Sequence, residues 1–267
     1  MRSTAAALFV LTALAAAQPA AAEDRIGRIY HYLRTNTDGS EPERVRVYRD
    51  SLTRLAVNKE VSLCTNAAYV TAELDLEAGE ARRLTGGRLT REGTQAAFGT
   101  LTVHPDSQRI EAQFEPQPGQ RFADSLDVRG RPRVVYDFDL SDLTVLLARR
   151  ADHRVDFSFG LPLIWFTAPD DFLKDLGPAE ATWEADVAWN GQAAHRFRVT
   201  APGFGGKPGT LWVSAAEGHI LAAEFPAPNH DNYRDFRLVL EKVEDAGAEG
   251  WRRLLMSHWE GCPPPKP

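Results

Sequence analysis

The sequence predicts a mainly β fold in which an antiparallel meander curves into a half-barrel or open barrel, with two short helices packed on it. Apolar and polar residues alternate with a period of two along much of the chain, which is typical of strands that bury one face. Short turns rich in Gly, Asp and Pro separate these runs, as they do in antiparallel hairpins. The predicted order of strands is therefore a meander.

Most of the predicted strands lie in the first half of the chain. They are 26–34, 44–48, 52–57, 67–76, 95–103, 109–114 and 133–138. The turns predicted between them are Asp38-Gly39, Arg49-Asp50, Ala78-Gly79, Glu92-Gly93 and His104-Pro105-Asp106. Two helices are predicted to interrupt the meander, one at 141–150 and one at 169–176, which ends at Gly177-Pro178. We interpret both as plugs or lids packed on the sheet.

The last third of the chain repeats the hairpin pattern. Residues 183–189 alternate between apolar and polar, and Asn190-Gly191 is a type I′ turn sequence that leads into a strand at 193–200. A final strand is predicted at 252–258, with a tryptophan on either side of it.

A further predicted hairpin joins 210–214 to 219–225. If its strands pair directly across their turn, Trp212 faces Leu221, and Phe225 lies two pairs along. Both faces of this hairpin are apolar, whereas a hairpin with one wet face alternates more cleanly. We therefore expect a helix, a core or a ligand to cover each side.

Residues 1–22 have the features of a secretory signal peptide. Arg2 supplies a basic start, an Ala-rich apolar segment follows, and Ala20-Ala21-Ala22 is a small-residue cleavage site. No cysteine stands at the cleavage point, so a lipid anchor is not expected. The sequence therefore predicts an exported protein, periplasmic or else secreted, whose mature chain begins at Glu23.

Cys64 and Cys262 are the two cysteines of the chain. In an oxidising compartment the simplest expectation is a disulfide between them. The bond would close a very long loop, which is worth on the order of 5 kcal/mol in the chain-entropy model. It also favours a single β-rich domain from 23 to 267. No neighbouring group would activate Cys64 as a nucleophile, and the spacing of the pair is not that of a metal site.

Composition narrows the range of partners. The formal net charge of −6 becomes −7 when Arg2 leaves with the signal peptide. Nucleic acid and anionic lipid surfaces both call for clustered Lys and Arg, so neither is expected as a partner. No segment after the signal peptide could cross a bilayer, so an integral membrane protein is not expected either. We expect a lipid or another apolar small molecule, or an envelope protein, as the partner, and neither a cofactor nor a metal.

No catalytic residue is assigned, because the sequence lacks G-x-S-x-G, H-E-x-x-H and S-x-x-K with K-T-G. Residues 203–207 resemble a phosphate loop but lack its first glycine and its Ser or Thr. Two pairs stay open as general-base machinery of a hydrolase, His230 with Asp231 and Asp186 with His195. An exposed polar loop and a cross-strand ion pair are the plainer interpretations of the same residues.

Large amphipathic rings within apolar runs are candidates to line a cavity, although ordinary core packing is the alternative for each of them. The predicted ligand-lining residues are Trp165, Trp183, Trp212, Leu221 and Phe225. Residues 160–166 form the most hydrophobic run after the signal peptide, and they fit either a buried strand or a cavity rim.

The late strands resemble the closing strands of exported bacterial half-barrel proteins, the group that includes the lipoprotein-carrier type and its uncharacterised relatives. The residues concerned are Gly209-Thr210-Leu211-Trp212-Val213-Ser214, the turn Glu217-Gly218, His219-Ile220-Leu221, and Phe236-Arg237-Leu238-Val239-Leu240-Glu241. The resemblance implies a carrier or binder of lipid-like molecules in the envelope and supplies no catalytic motif. A hydrolase and a ligand-free interaction scaffold are the alternatives.

Overall fold

In the computed structural model, which describes residues 25–264, fourteen strands form one antiparallel sheet. The predicted signal peptide at 1–22 lies outside the described residues. Consecutive strands pair with each other within the first eight strands, and again within the last six. The first strand (Arg28–Thr35) and the last strand (Phe236–Asp245) pair with each other and join the two meanders. The mainly β prediction is confirmed.

The first meander consists of β1 (Arg28–Thr35), β2 (Glu43–Ser51), β3 (Arg54–Glu60), β4 (Ala68–Asp75), β5 (Glu80–Leu89), β6 (Gln95–Val103), β7 (Arg109–Phe114) and β8 (Phe122–Asp127). The second consists of β9 (Phe157–Ala168), β10 (Asp171–Trp189), β11 (Gln192–Thr200), β12 (Gly209–Ser214), β13 (Ile220–Phe225) and β14 (Phe236–Asp245). The helices are α1 (Ser141–Ala148), between the two meanders, and α2 (Gly247–Ser257), after β14. Neither helix is long and apolar enough to span a membrane.

The two faces of the sheet bury different clusters of side chains. The face that carries the main core, here called the inner face, also packs against Leu143 and Leu147 of α1. On the opposite, outer face, α2 covers a smaller cluster that includes Tyr48 and Trp251. The Trp251 ring stacks on Tyr48 with 5.1 Å between the ring centroids. The two helices therefore pack on opposite faces of the sheet.

The edge strands meet without closing the sheet into a barrel. We call this contact, between β8 and the β9–β10 hairpin, the seam. The backbone N–H of Ala123 donates to the carbonyl of Pro169 at 3.1 Å. One carboxylate oxygen of Asp124 accepts from the backbone N–H groups of Phe172 at 2.8 Å and Leu173 at 2.7 Å. A few side-chain and backbone bonds thus replace a strand ladder here.

Several sequence predictions are confirmed in detail. Strand β7 has the predicted bounds 109–114, and α1 begins at Ser141 as predicted. Asn190 and Gly191 connect β10 to β11 with φ of 47° and 80°, the positive angles that a type I′ turn requires. These segments carry strong local signals that agree with their tertiary surroundings.

The predicted helix at 169–176 is wrong. The segment forms the turn after β9 and the start of β10, and β10 runs through Gly177-Pro178 to Trp189. Asp124 holds two backbone N–H groups of this segment, so the seam fixes an extended backbone there. Tertiary hydrogen bonding overrides the local pattern.

Two predicted strands are also wrong. Residues 133–138 make only an isolated bridge from Arg133 to Gly160 and then a short 3₁₀ turn, Tyr136–Phe138. Residues 252–258 lie mainly in helix α2. Trp251, Leu255 and His258 are buried, and their spacing of three to four residues is a helical stripe.

Two details of register also differ from the prediction. Strand β2 runs through Arg49-Asp50 to Ser51, so the turn follows that point. Trp212 pairs with Ala222 rather than Leu221, and Val213 pairs with Ile220. Leu221 is therefore the extra residue of a β-bulge in β13, which an alternating pattern does not reveal.

Candidate functional site

An apolar cavity of about 250 Å³ lies on the inner face, between β4–β7 and strand β9. Its apolar walls include Leu84, Phe98, Leu101, Phe114, Ile164 and Phe166. One end of the cavity is polar and consists of Glu43, Lys59, Asp137 and His230. The cavity therefore has the form of an apolar chamber with a single charged end.

Gly86 on β5 creates part of this space. A Cβ placed on Gly86 would lie 3.8 Å from the Phe98 ring and 3.9 Å from the Phe114 ring, which are ordinary van der Waals distances. Its backbone is not in the left-handed region, so other residues can adopt its conformation. A larger side chain at this position would extend towards both rings and fill the chamber.

Aromatic rings surround the end of the cavity that lies beside the seam. Phe166 lines the cavity and is 58% exposed. Its ring stacks on Phe172 at 5.1 Å and meets Phe114 and Phe122 edge-on at 5.8 and 5.7 Å. Phe166 therefore presents an apolar surface to solvent at the rim of the cavity.

Lys59 organises the charged end. Its ammonium lies 2.8 Å from a carboxylate oxygen of Asp139, donates to the carbonyl of Asp137 at 2.9 Å, and contacts Nε2 of His230 at 3.1 Å. These contacts match the three N–H donors of a lysine. Burial acts to lower the pKa of Lys59, but the negative charges of Asp139 and Asp137 raise it overall, so the ammonium stays charged.

Asp139 lies behind Lys59 and is completely buried. Its backbone is left-handed, with φ of 52°, at the end of the 3₁₀ turn. The Arg34 guanidinium lies 3.5 Å from its carboxylate, and the Asn229 amide donates to it at 2.7 Å. Burial alone would raise the pKa of Asp139, but Lys59 and Arg34 together hold it below its usual value. The carboxylate is therefore ionised and compensated.

Glu43 differs from its neighbours because its carboxylate accepts no hydrogen bond in the described part of the chain. It is half-buried at the start of β2 and lines the cavity. Burial raises the pKa of Glu43, although the charge of Lys59 acts in the opposite direction. This acceptor is thus open towards the cavity.

His230 is one of the sequence candidates, and its partner differs from the predicted one. Its Nε2 lies 3.1 Å from a carboxylate oxygen of Asp137, not beside Asp231. Burial lowers the pKa of His230, and Lys59 adds to this effect against the opposing charge of Asp137. The imidazole is therefore neutral near neutral pH, with the lysine beside it.

Glu43, Asp139 and His230 each place a ligand atom within 4.8 Å of the others, which is a spacing that a metal ion could use. The Lys59 ammonium, however, lies beside both Asp139 and His230. The protonated lysine neutralises Asp139 and would repel a divalent ion held between Asp139 and His230. The chemistry of this cluster therefore favours an internal ion pair over a metal site.

The five residues predicted to line a ligand site lie outside this set of wall residues. Trp212 is half-buried on the outer face, where its ring centroid is 4.3 Å from that of Trp189, and Trp183 is 37% exposed. Phe225 is buried in the main core between Tyr136 and Phe236, and Leu221 is buried at the bulge. Trp165 packs against the main core, between the wall residues Ile164 and Phe166.

The second candidate pair does come together. His195 Nδ1 lies 2.6 Å from a carboxylate oxygen of Asp186, which also pairs with Arg154 at 2.6 Å. In the described residues no Ser, Thr or Cys side chain hydrogen-bonds to His195 or to His230. Neither histidine therefore has the neighbouring nucleophile that a Ser- or Cys-type hydrolase needs.

The cysteine pair is positioned as predicted: the structure joins Cys64 and Cys262, with Cα atoms 5.5 Å apart. Beside it, Nδ1 of His258 lies 2.5 Å from Glu60, and Nε2 lies 2.8 Å from the Thr65 carbonyl. These contacts fasten the end of α2 to the loop after β3, away from the cavity.

Sequence reasoning missed Lys59, Asp139 and the cavity phenylalanines. The sequence did contain one signal for Lys59, which ends the strand run Leu55-Ala56-Val57-Asn58-Lys59. The structure buries every residue of this run. A charge in a buried strand needs a partner, but the sequence does not say where that partner lies.

No protein-family model and no curated protein matches this chain. Solved structures that match include a β-barrel-like protein of the domain of unknown function DUF1849 from Brucella abortus, with 7% identity and a TM-score of 0.41 over 82% of this chain and 97% of that one. Another is PNGF-II, with 6% identity and a TM-score of 0.28 over 88% of this chain and 30% of that one. At TM-scores below 0.5, neither likeness extends to the function of this chain.

Proposed function

We propose that this protein is an exported, non-enzymatic envelope protein that binds a hydrophobic small molecule in the cavity of its curved sheet. The observation that carries the proposal is the apolar chamber between β4–β7 and β9, with one charged end and an exposed aromatic rim. Binding sites for small molecules are concave and mostly apolar, with a few placed polar groups.

Non-enzymatic binding fits the polar end better than catalysis does. Lys59 forms an ion pair with Asp139 and hydrogen-bonds to the Asp137 carbonyl, and His230 contacts Lys59 and Asp137 rather than a hydroxyl or a thiol in the described residues. A neutral histidine without a nucleophile can orient a polar group but has no covalent step to assist. A hydrolase is therefore the weaker candidate.

Titration with N-phenyl-1-naphthylamine, a neutral probe that fluoresces in apolar surroundings, tests the proposal. The mature protein should bind this probe saturably. Gly86→Leu should reduce the binding by about tenfold or more, because the new side chain fills the chamber. Ala96→Leu is the matched control, since it adds the same side chain at an exposed position on the neighbouring strand β6.

The outcomes separate binder from scaffold. Saturable binding that Gly86→Leu removes and Ala96→Leu leaves intact supports the proposal. A folded wild-type protein that binds no probe would instead favour a ligand-free scaffold. Binding equal in all three proteins would place the probe outside this cavity and overturn the assignment of the site.

Export is the second part of the proposal, and its support is the N-terminal sequence. The protein recovered from the periplasm should have the intact mass of a chain that begins at Glu23 and carries no acyl group. A mass that includes Met1 would contradict cleavage.

A further inference from the structure

We propose that the cavity takes a single-chain amphiphile with a protonated amine head group, which binds against Glu43. This inference rests on the proposed function and adds the chemical class of its ligand. It follows from the size of the chamber and from which polar groups at its charged end still lack a partner.

Size favours a single chain. The cavity holds about 250 Å³, whereas pockets for drug-sized molecules hold roughly 300–1,000 Å³. The chamber therefore suits one alkyl chain better than the several acyl chains of a phospholipid or a lipoprotein. One alkyl chain can lie along the phenylalanine walls with its head at the charged end.

Hydrogen bonding at the charged end favours a donor as the head group. Lys59 is the cation among the wall residues, and its N–H groups already face Asp139, Asp137 and His230. Glu43 is a carboxylate on the same wall that accepts no hydrogen bond from the described residues. An incoming N–H donor therefore finds an open acceptor, whereas a carboxylate head finds no lysine donor to spare.

The sign of the charge agrees with this. The carboxylates of Glu43, Asp137 and Asp139 outnumber the two cations, Lys59 and Arg34. Arg34 also has two nitrogens without a hydrogen bond, Nε and Nη1, but its side chain is completely buried and does not line the cavity. An ammonium head would complete the pairing, whereas an anionic head would add to the excess of negative charge.

A head-group series tests the proposal. Dodecylamine, dodecanoate and 1-dodecanol, each kept below its aggregation concentration near neutral pH, are used to displace N-phenyl-1-naphthylamine. We expect dodecylamine to displace it at a concentration at least about tenfold lower than dodecanoate, because a charge-assisted hydrogen bond to Glu43 forms only with the amine. The alcohol should fall between them.

Substitutions then locate the preference. Glu43→Gln should bring dodecylamine close to the alcohol, whereas Glu43→Asp, which keeps the charge, should retain most of the difference. Glu73→Gln is the matched control, because it removes the same charge from an exposed position on β4. Circular dichroism checks that each variant is folded.

Each outcome decides the matter. Equal displacement by all three compounds, or a preference for dodecanoate, would overturn the amine assignment while leaving the proposed function intact. A preference for the amine that Glu43→Gln and Glu73→Gln reduce equally would reflect overall charge, and would also overturn it. Failure of the probe itself to bind would instead count against the proposed function.

Discussion

At the scale of single residues, Lys59 and Asp139 illustrate how this sheet accommodates charge in its interior. Both side chains are almost fully buried, and they lie 2.8 Å apart. Removing two charges from water is costly, and their attraction offsets this cost only when further hydrogen bonds satisfy them. The Asn229 amide and the Asp137 carbonyl supply such bonds, and the Arg34 guanidinium adds a second positive charge 3.5 Å from Asp139.

The pair should therefore be costly to break from one side. Lys59→Met leaves Asp139 buried with the Arg34 guanidinium, 3.5 Å away, as its remaining cation, and should lower the free energy of unfolding by about 3 kcal/mol. Urea denaturation measures this loss. The double variant Lys59→Met/Asp139→Asn should recover part of it. Lys242→Met, at an exposed ion pair, should cost less than about 1 kcal/mol, and an equal loss in both single variants would refute the argument.

Asp142 makes the free energy of unfolding depend on pH in the direction opposite to that of an ordinary ion-paired carboxylate. It is completely buried in α1, and one of its oxygens has no hydrogen-bond partner. Burial raises the pKa of Asp142 to about 7, from an ordinary value of 3.8. The folded protein therefore holds this proton more tightly than the unfolded chain does, and the free energy of unfolding falls as the pH rises between these two values.

Asp142→Asn should remove this dependence. The variant should gain stability relative to the wild-type protein as the pH rises from about 4 to about 7, by a few kcal/mol at most. Urea denaturation of both proteins at several pH values gives this difference. Buried histidines such as His219, whose pKa burial lowers to about 4, titrate in both proteins and cancel. Parallel stability curves would contradict the assignment to Asp142.

Residues of the site were predictable only in part. His230 could be singled out because it stands in a polar cluster of the sequence, yet its partner Asp137 is far from it along the chain. The large tryptophans attracted attention as cavity residues, while the smaller Phe98 and Phe166 form the walls. Side-chain size predicts burial, but which buried rings face an empty space depends on tertiary structure.

At the scale of elements, the hairpins were predictable and the exceptions have tertiary causes. Alternation and a type I′ turn sequence identified β10 and β11, since both signals are local. The local sequence of 169–176 fits a helix. The contact that holds the segment extended comes from Asp124, which is distant in sequence. Helix α2 departs from the predicted strand for a different reason, because its short stripe of Trp251 and Leu255 also fits a strand flanked by aromatic residues.

The seam gives a prediction for these elements. Asp124→Ala removes an acceptor shared by the N–H groups of Phe172 and Leu173, and should lower the free energy of unfolding by about 1–3 kcal/mol. Hydrogen exchange should accelerate at the start of β10, since the edge strands separate there first.

Asp127→Ala is the control for this change, because Asp127 is exposed at the other end of β8. It should leave both the stability and the exchange of β10 close to the wild-type values. If both variants accelerate exchange alike, the effect belongs to β8 as a whole and not to the contact at the seam.

At the scale of the whole molecule, two long-range contacts join distant parts of the chain. Strand β14 pairs with β1 along the whole length of β1, and the cysteine pair links the loop after β3 to the end of α2 across 198 residues. The meanders could be predicted from local turns, whereas the pairing of β1 with β14 could not, since no turn connects them. The cysteine pair was the one long-range contact that counting residues suggested.

That contact is tested by Cys262→Ser. Opening a loop of this length should lower the free energy of unfolding by up to about 5 kcal/mol in the chain-entropy model. The measured loss should be smaller than this value, because the contact between Glu60 and His258 still holds the end of α2 to the sheet. Urea denaturation with and without dithiothreitol measures the effect: the reductant should destabilise the wild-type protein and leave the variant unchanged.

Because neither cysteine lines the cavity, the variant should bind N-phenyl-1-naphthylamine with wild-type affinity while it is folded. Equal stability of the wild-type protein with and without reductant, or two titratable thiols in protein taken from the periplasm, would show that the bond does not support the fold. Lost probe affinity in the folded variant would show that the bond also shapes the cavity.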